Sequence, residues 1–215
     1  MRSDRSTLAD TSYAQQLVSP LVSVQTYKNM LYFVLAFPLA VIYSFIIGVG
    51  TVFGILFSLV LVGIVALVLV ILAVRVLMIF ERGLTSVLLD IELTAPDDAS
   101  PRGQHLGTVR GYIHAKSTWR GLGFLSIKFW LGILGVILFA GLFQGLSMVS
   151  TLLRRPHDLQ FGEVNGEPVI WVVETVPEAG LAAFGGLLLI LIVLHLANGF
   201  AYATRRMARA LLDGQ

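Results

Sequence analysis

MLYFVLAFPLAVIYSFIIGVGTVFGILFSLVLVGIVALVLVILAVRVLMIF, residues 30–80, carries a single full charge, Arg75, close to its end. A membrane-spanning helix rises 1.5 Å per residue and needs about 20 apolar residues, so this run is long enough for two spans. Pro38 and the Gly48, Gly50 and Gly54 cluster interrupt it. Two more apolar runs follow, Phe124–Leu153 and Ala179–Ala203. The pattern predicts an all-α membrane protein with four transmembrane helices near residues 29–50, 53–80, 122–150 and 177–203. Pro38 is expected to kink the first, and a tight turn through the three glycines to join it to the second.

Composition agrees. Mean hydropathy is +0.84 and charged residues make up 13% of the chain, about half the usual share for a soluble domain. The pI of 9.1 does not point to nucleic acid, because net charge is only +2 and the bases flank apolar spans. With no cysteine, disulfides and thiolate metal sites are excluded. The chain opens with polar residues of mixed charge, so no cleaved signal peptide is expected.

Positive charge is unevenly spread. Three bases precede the first span, seven lie in or beside the segment between spans 2 and 3, and three follow span 4. Only Arg154 and Arg155 lie between spans 3 and 4, against Asp158, Glu163, Glu167, Glu174 and Glu178. Lysine and arginine collect on the cytoplasmic side. The expected location is therefore the cell membrane, with both termini and the central segment cytoplasmic and the segment between spans 3 and 4 outside.

The two halves are alike. A shift of 92 places Thr26-Tyr27-Lys28 on Thr118-Trp119-Arg120. A shift of 123 places Arg82 on Arg205 and Leu88-Leu89-Asp90 on Leu211-Leu212-Asp213. Two spans per unit preserve direction, so the expectation is two parallel two-helix repeats about an axis along the membrane normal. The domains are then a flexible cytoplasmic tail (1–25), a first repeat (26–93), a cytoplasmic linker (94–117) and a second repeat (118–215). The larger shift means that the second repeat carries an insert, at about 154–175.

Within that insert Asn165-Gly166 separates β-prone stretches, the strongest short-range hairpin signal. Thr175 and Glu178 have capping-box spacing, so span 4 should begin at about Val176. A small extracellular β-hairpin results. It is either a structured connector or a sensing lid, with Phe161, Asn165, Gly166 and Trp171 as its candidate sensing residues.

Four polar residues lie inside or beside apolar stretches, Arg75, Lys128, His195 and Asn198, and form a candidate intramembrane cluster. Arg75 and Lys128 are long enough to snorkel to the headgroups. His195 suits a helix–helix hydrogen bond. No acidic residue occurs between Leu31 and Phe80 or between Phe129 and Leu153, which argues against a proton relay. Gly50/Gly54 and Gly141/Gly145 have the spacing that lets helices approach closely, within one chain or between copies in a homo-oligomer. Spans 2 and 4 continue as amphipathic helices, the second through Arg205, Arg206 and Arg209, the candidate cytoplasmic output. Helix 4 thus connects the insert to that output.

No phosphate loop, zinc-protease, nucleophile-elbow or dinucleotide-binding motif occurs, and the four histidines are not at ligand spacing. The reading is of a non-enzymatic chain with no catalytic residue, cofactor or metal.

The stretches Thr26–Tyr32, Phe37-Pro38-Leu39, Phe80-Glu81-Arg82, Thr118-Trp119-Arg120, Val176–Ala179, Leu194–Gly199 and Arg205–Leu212 together resemble the "putative sensor" domain family. The resemblance spans about residues 25–213. It implies a duplicated four-helix membrane module, found in prokaryotic sensor histidine kinases and as stand-alone proteins, and supplies no catalytic residues. The sequence to Gln215 contains no phospho-acceptor helix or nucleotide-binding domain, so output is expected to pass through a separate protein partner in the membrane or cytoplasm. The competing expectations are a small transporter or channel and a structural subunit of a larger membrane complex.

Overall fold

A computed structural model of the chain describes residues 18–94, 115–154 and 156–213. Its elements are α1 (Val24–Leu56), a short 3-10 turn (Ser58–Val60), α2 (Val62–Leu89), α3 (Lys116–Ser150), β1 (His157–Val164), β2 (Glu167–Val173) and α4 (Val176–Leu212). All four helices are long and apolar enough to cross a membrane, as expected of a multi-pass membrane protein. The expected N-terminal tail and central linker lie largely outside the described residues.

The turn between α1 and α2 falls later than expected. Gly48, Gly50 and Gly54 are all helical, and the reversal occupies Phe57–Leu61. Ser58 Oγ donates to the Ile55 carbonyl at 2.9 Å, and Gly63 N–H to the Phe57 carbonyl at 2.9 Å. Leu61 takes a positive φ of 54°. A glycine inside a helix costs only about 1 kcal/mol, and between apolar helices it serves as a contact surface. Gly50 meets Val70, and Gly54 meets Leu67. Pro38 lies within α1, which continues through it.

The chain divides into two compact units. One comprises residues 27–136 with 199–213. Its core joins Tyr43, Val74, Met78, Phe124, Leu125, Ala208 and Leu212. Here α3 lies against α1 with Gly132 at the backbone of Phe37 and Gly135 at that of Phe33. Along this contact, higher numbers on α3 meet lower numbers on α1. Against α2 the order is the same on both helices: Thr118 meets Arg75, Gly121 meets Met78 and Lys128 meets Glu81. The contact with α1 follows the small-residue seam of α3.

Two arginines clasp helix ends in the same unit. Arg82 donates through Nη2 to the Leu212 carbonyl, and Arg205 through Nε to the Leu89 carbonyl at 2.7 Å. These carbonyls belong to the last turns of α4 and α2, which have no partner within their own helices. The two contacts use residues 123 apart in sequence, so one contact is made twice with the roles exchanged.

The other unit comprises residues 18–26 with 137–198. In it α3 and α4 form an antiparallel pair around a glycine contact. A Cβ on Gly186 would stand 2.6 Å from the Gly145 carbonyl oxygen and 2.8 Å from Met148 Cβ. The hairpin packs on this pair, with Leu159 and Val173 against Ala179 and Ala182, flanked by Met148 and Trp171.

The glycine contact is testable. Gly186→Leu should lower unfolding stability in detergent by about 1–3 kcal/mol, the usual cost of overpacking. Gly180→Leu, whose Cβ would meet nothing within 4 Å, should leave the thermal midpoint unchanged. Equal midpoints for the two variants would refute the close packing.

A buried carboxylate as candidate functional site

On α2 the buried residues Val74, Met78, Glu81, Thr85 and Leu88 follow helical spacing along one face. Glu81 stands in phase with that stripe, and Arg82 lies off it. Lys128 is likewise in phase with Phe124, Leu125 and Leu131 on α3. Tyr32 and Tyr43 are in phase with Ala36 and Ala40 on α1. Three helices therefore turn their polar groups toward one point by the same periodicity that buries their apolar neighbours.

At that point Glu81 and Lys128 form an ion pair with both side chains 0% exposed. Glu81 Oε1 accepts from Lys128 Nζ, from the Tyr32 hydroxyl at 3.1 Å and from Thr85 Oγ1 at 3.4 Å. Oε2 accepts from the Tyr43 hydroxyl at 3.1 Å. Tyr32 and Tyr43 are eleven residues apart, three helical turns or about 16 Å along α1. The carboxylate sits between them, bracketed by the two phenols. Lys128 Nζ also lies 3.8 Å from the centre of the Tyr32 ring, whose electron-rich face attracts a cation. Four donors thus converge on one carboxylate, three on Oε1 and one on Oε2.

This overturns two expectations. Lys128 does not snorkel, because Glu81 holds it inside the unit. An acidic partner does exist beside the spans. Glu81 follows directly on Phe80, where the apolar run ends, and reads as part of a polar helix exit. Its phase with Met78 and Thr85 was the signal that it faces inward.

The other residues of the expected cluster each bond elsewhere. Arg75 Nη2 donates to Thr118 Oγ1 at 2.7 Å. Asn198 Nδ2 donates to Thr26 Oγ1 at 2.9 Å. Thr26 and Thr118 match under the 92-residue shift, and Arg75 and Asn198 under the 123-residue shift, so these are again equivalent contacts. His195 is exposed, with Nδ1 2.8 Å from the Leu191 carbonyl of its own helix. The expected helix–helix bond of His195 is made instead by Asn198, because Asn198 lies nearer the buried face of α4. Glu81 and Lys128 have no such counterparts. The shifts place Thr204 and Ala36 at the matching positions, so the charge pair belongs to one combination of halves only.

The hairpin forms as its turn residues dictate. Asn165 and Gly166 take φ of 57° and 84°, the positive values a two-residue hairpin turn needs. Val164 pairs with Glu167 and Leu159 with Trp171. A bulge falls between Gln160 and Glu163, where Gly162 has φ of 111° and Pro168 faces Glu163. Trp171 is half-buried and Phe161 exposed. At the helix junction Glu178 Oε2 accepts from the N–H groups of Glu174 and Thr175 at 3.0 and 3.2 Å. Glu178 N–H donates to Thr175 Oγ1 at 3.4 Å, completing the capping box.

The expected output trio divides. Arg205 is half-buried and also donates to Asn29 Oδ1 at 3.1 Å, which makes it a structural clasp. Arg206 and Arg209 are exposed, and Arg206 lies 5.4 Å from the Tyr202 ring centre.

A family model described as "Putative sensor" matches residues 7–212 of the chain. No curated protein and no solved structure matches it.

Removing one partner of a buried ion pair strands the other. Lys128→Met should therefore cost about 3–5 kcal/mol, read as a lowered midpoint in thermal or denaturant unfolding in detergent. The double variant Glu81→Gln/Lys128→Met keeps an oxygen that accepts from one tyrosine and an N–H that donates to the other's hydroxyl oxygen, and carries no stranded charge. It should recover most of the loss. A double variant as unstable as Lys128→Met alone would show that the pair is not the source of the effect.

Proposed function

We propose that this chain, which belongs to the family described as "Putative sensor", is a non-enzymatic sensing or regulatory membrane module that signals through a separate protein partner. The observation that carries the reading is the junction of hairpin and helix. β2 ends at Val173 and α4 begins at Val176. The Glu178 carboxylate ties the two connecting N–H groups to the first helical turn. Leu159 and Val173 press on Ala179 and Ala182. A displacement of the hairpin therefore loads the start of α4. That helix is uninterrupted for 37 residues, about 55 Å by helix rise, and ends in the segment of Arg206 and Arg209. A continuous helix with an exposed hairpin at its start and exposed bases in its last turns suits a transmitting role.

Both termini are placed in the cytoplasm and the hairpin outside the cell. Arg2, Arg5 and Lys28 lie before or in the first turns of α1 and Arg205, Arg206 and Arg209 in the last turns of α4, whereas the segment from 154 to 178 carries two bases against five acids. The chain has no native cysteine to interfere with labelling. A cysteine at Asn165 should react with an impermeant maleimide in intact cells, and one at Ala210 only after lysis. The reverse pattern would invert the orientation.

A second reading, a small transporter, draws on the Glu81–Lys128 pair, since ionisable groups among apolar helices often mark ion or substrate paths. Complete burial of both side chains among the described residues counts against it. Solute flux into proteoliposomes, lost in the Lys128→Met variant, would favour this second reading.

The sensing role of the hairpin is tested by complementation. A deletion strain would be given the intact chain or one with residues 157–173 replaced by a short glycine turn. With equal amounts of protein in the membrane, the intact chain should restore the transcript profile and the hairpin-less chain should not. Equal restoration by both would remove the hairpin from the mechanism.

A further inference from the structure

We infer that Arg120, Arg206 and Arg209 form a binding site for the phosphate of an anionic phospholipid headgroup. The three line one open cavity of about 510 Å³, together with Ala210 and Asp213. All three arginines are exposed. None is ion-paired among the described residues. Asp213 is already engaged, since its Oδ1 accepts the Thr94 N–H at 3.0 Å. Three guanidinium groups against one occupied carboxylate leave the cavity strongly positive. Planar guanidinium forks match phosphate oxygens in pairs, which a lone ammonium cannot do.

Two features favour a lipid over a soluble phosphate. First, the arginines end the apolar stretches of α3 and α4, two helices long enough to cross a membrane. Second, each side of the cavity has an exposed aromatic next to its arginine. Trp119 adjoins Arg120, and Tyr202 stands one turn before Arg206, whose guanidinium lies over its ring. Exposed tryptophan and tyrosine beside bases are the usual residues of the membrane–water interface. Arg205, next in sequence, contributes nothing here, because it is committed to Leu89 and Asn29. The inference requires that the chain be a membrane protein and does not depend on the sensing role.

The test uses the full chain in nanodiscs of phosphatidylcholine, with or without added phosphatidylglycerol, and counts retained lipids by native mass spectrometry. The intact chain should retain phosphatidylglycerol selectively and saturably. Each Arg→Gln change at 120, 206 or 209 should weaken retention about fivefold, the typical worth of one base at an anionic surface. The triple Arg→Lys variant should keep part of the affinity, and the triple Arg→Gln variant should lose the selectivity while keeping the thermal midpoint. Inorganic phosphate and glycerol phosphate should fail to displace the lipid at matched ionic strength. The inference is overturned if the triple Arg→Gln variant retains phosphatidylglycerol as the intact chain does. It is also overturned if the intact chain does not prefer that lipid, or if free phosphate displaces it, which would mark a site for a soluble anion.

Discussion

Glu81 must have partners, and the unit around it is arranged so that it does. Away from water, an ionised carboxylate is tolerated only when an opposite charge and enough donors surround it. Lys128 supplies the charge, and Tyr32, Tyr43 and Thr85 the remaining donors. Each group comes from α1, α2 or α3, so one carboxylate fixes the rotation of three helices about their axes. Turning any of them by a third of a turn would replace a partner with an apolar side chain. Apolar packing alone specifies rotation weakly among helices whose outer faces are also apolar. The charge pair removes that freedom.

Elsewhere the same problem is solved with neutral or terminal groups. Helix-end carbonyls of Leu89 and Leu212 receive Arg205 and Arg82. Thr26 and Thr118 receive Asn198 and Arg75. These two contacts recur at positions related by the two sequence shifts. The Glu81–Lys128 pair does not recur, since Thr204 and Ala36 occupy the matching positions. Two contacts thus recur between the halves of the sequence, and the charged site and the hairpin do not.

The hairpin is held by a different kind of physics. Two strands alone are marginal in water. Here Leu159 and Val173 are buried on α4, and the capping box ties strand to helix through Glu178. The remaining strand faces stay largely exposed. A small element anchored at one edge and open on the rest combines a firm attachment with an accessible surface.

What was legible in the sequence was local. Apolar length predicts four helices, Asn165-Gly166 predicts the turn, and Thr175 with Glu178 predicts the start of α4, because each depends on residues a few positions apart. Helical phase even marks Glu81 and Lys128 as inward-facing. Their pairing across 47 positions is another matter, since phase names the face of a helix and not its partner. The location of the first turn at Phe57–Leu61 was hidden for a related reason. Glycine serves turns and close helix contacts alike, and only the neighbours Val70 and Leu67 show which use Gly50 and Gly54 have. The separate fates of Arg205 and Arg206 were likewise decided by tertiary contacts. A charge or a small residue in an apolar helix declares that it needs a neighbour, and only the packed chain determines which one it meets.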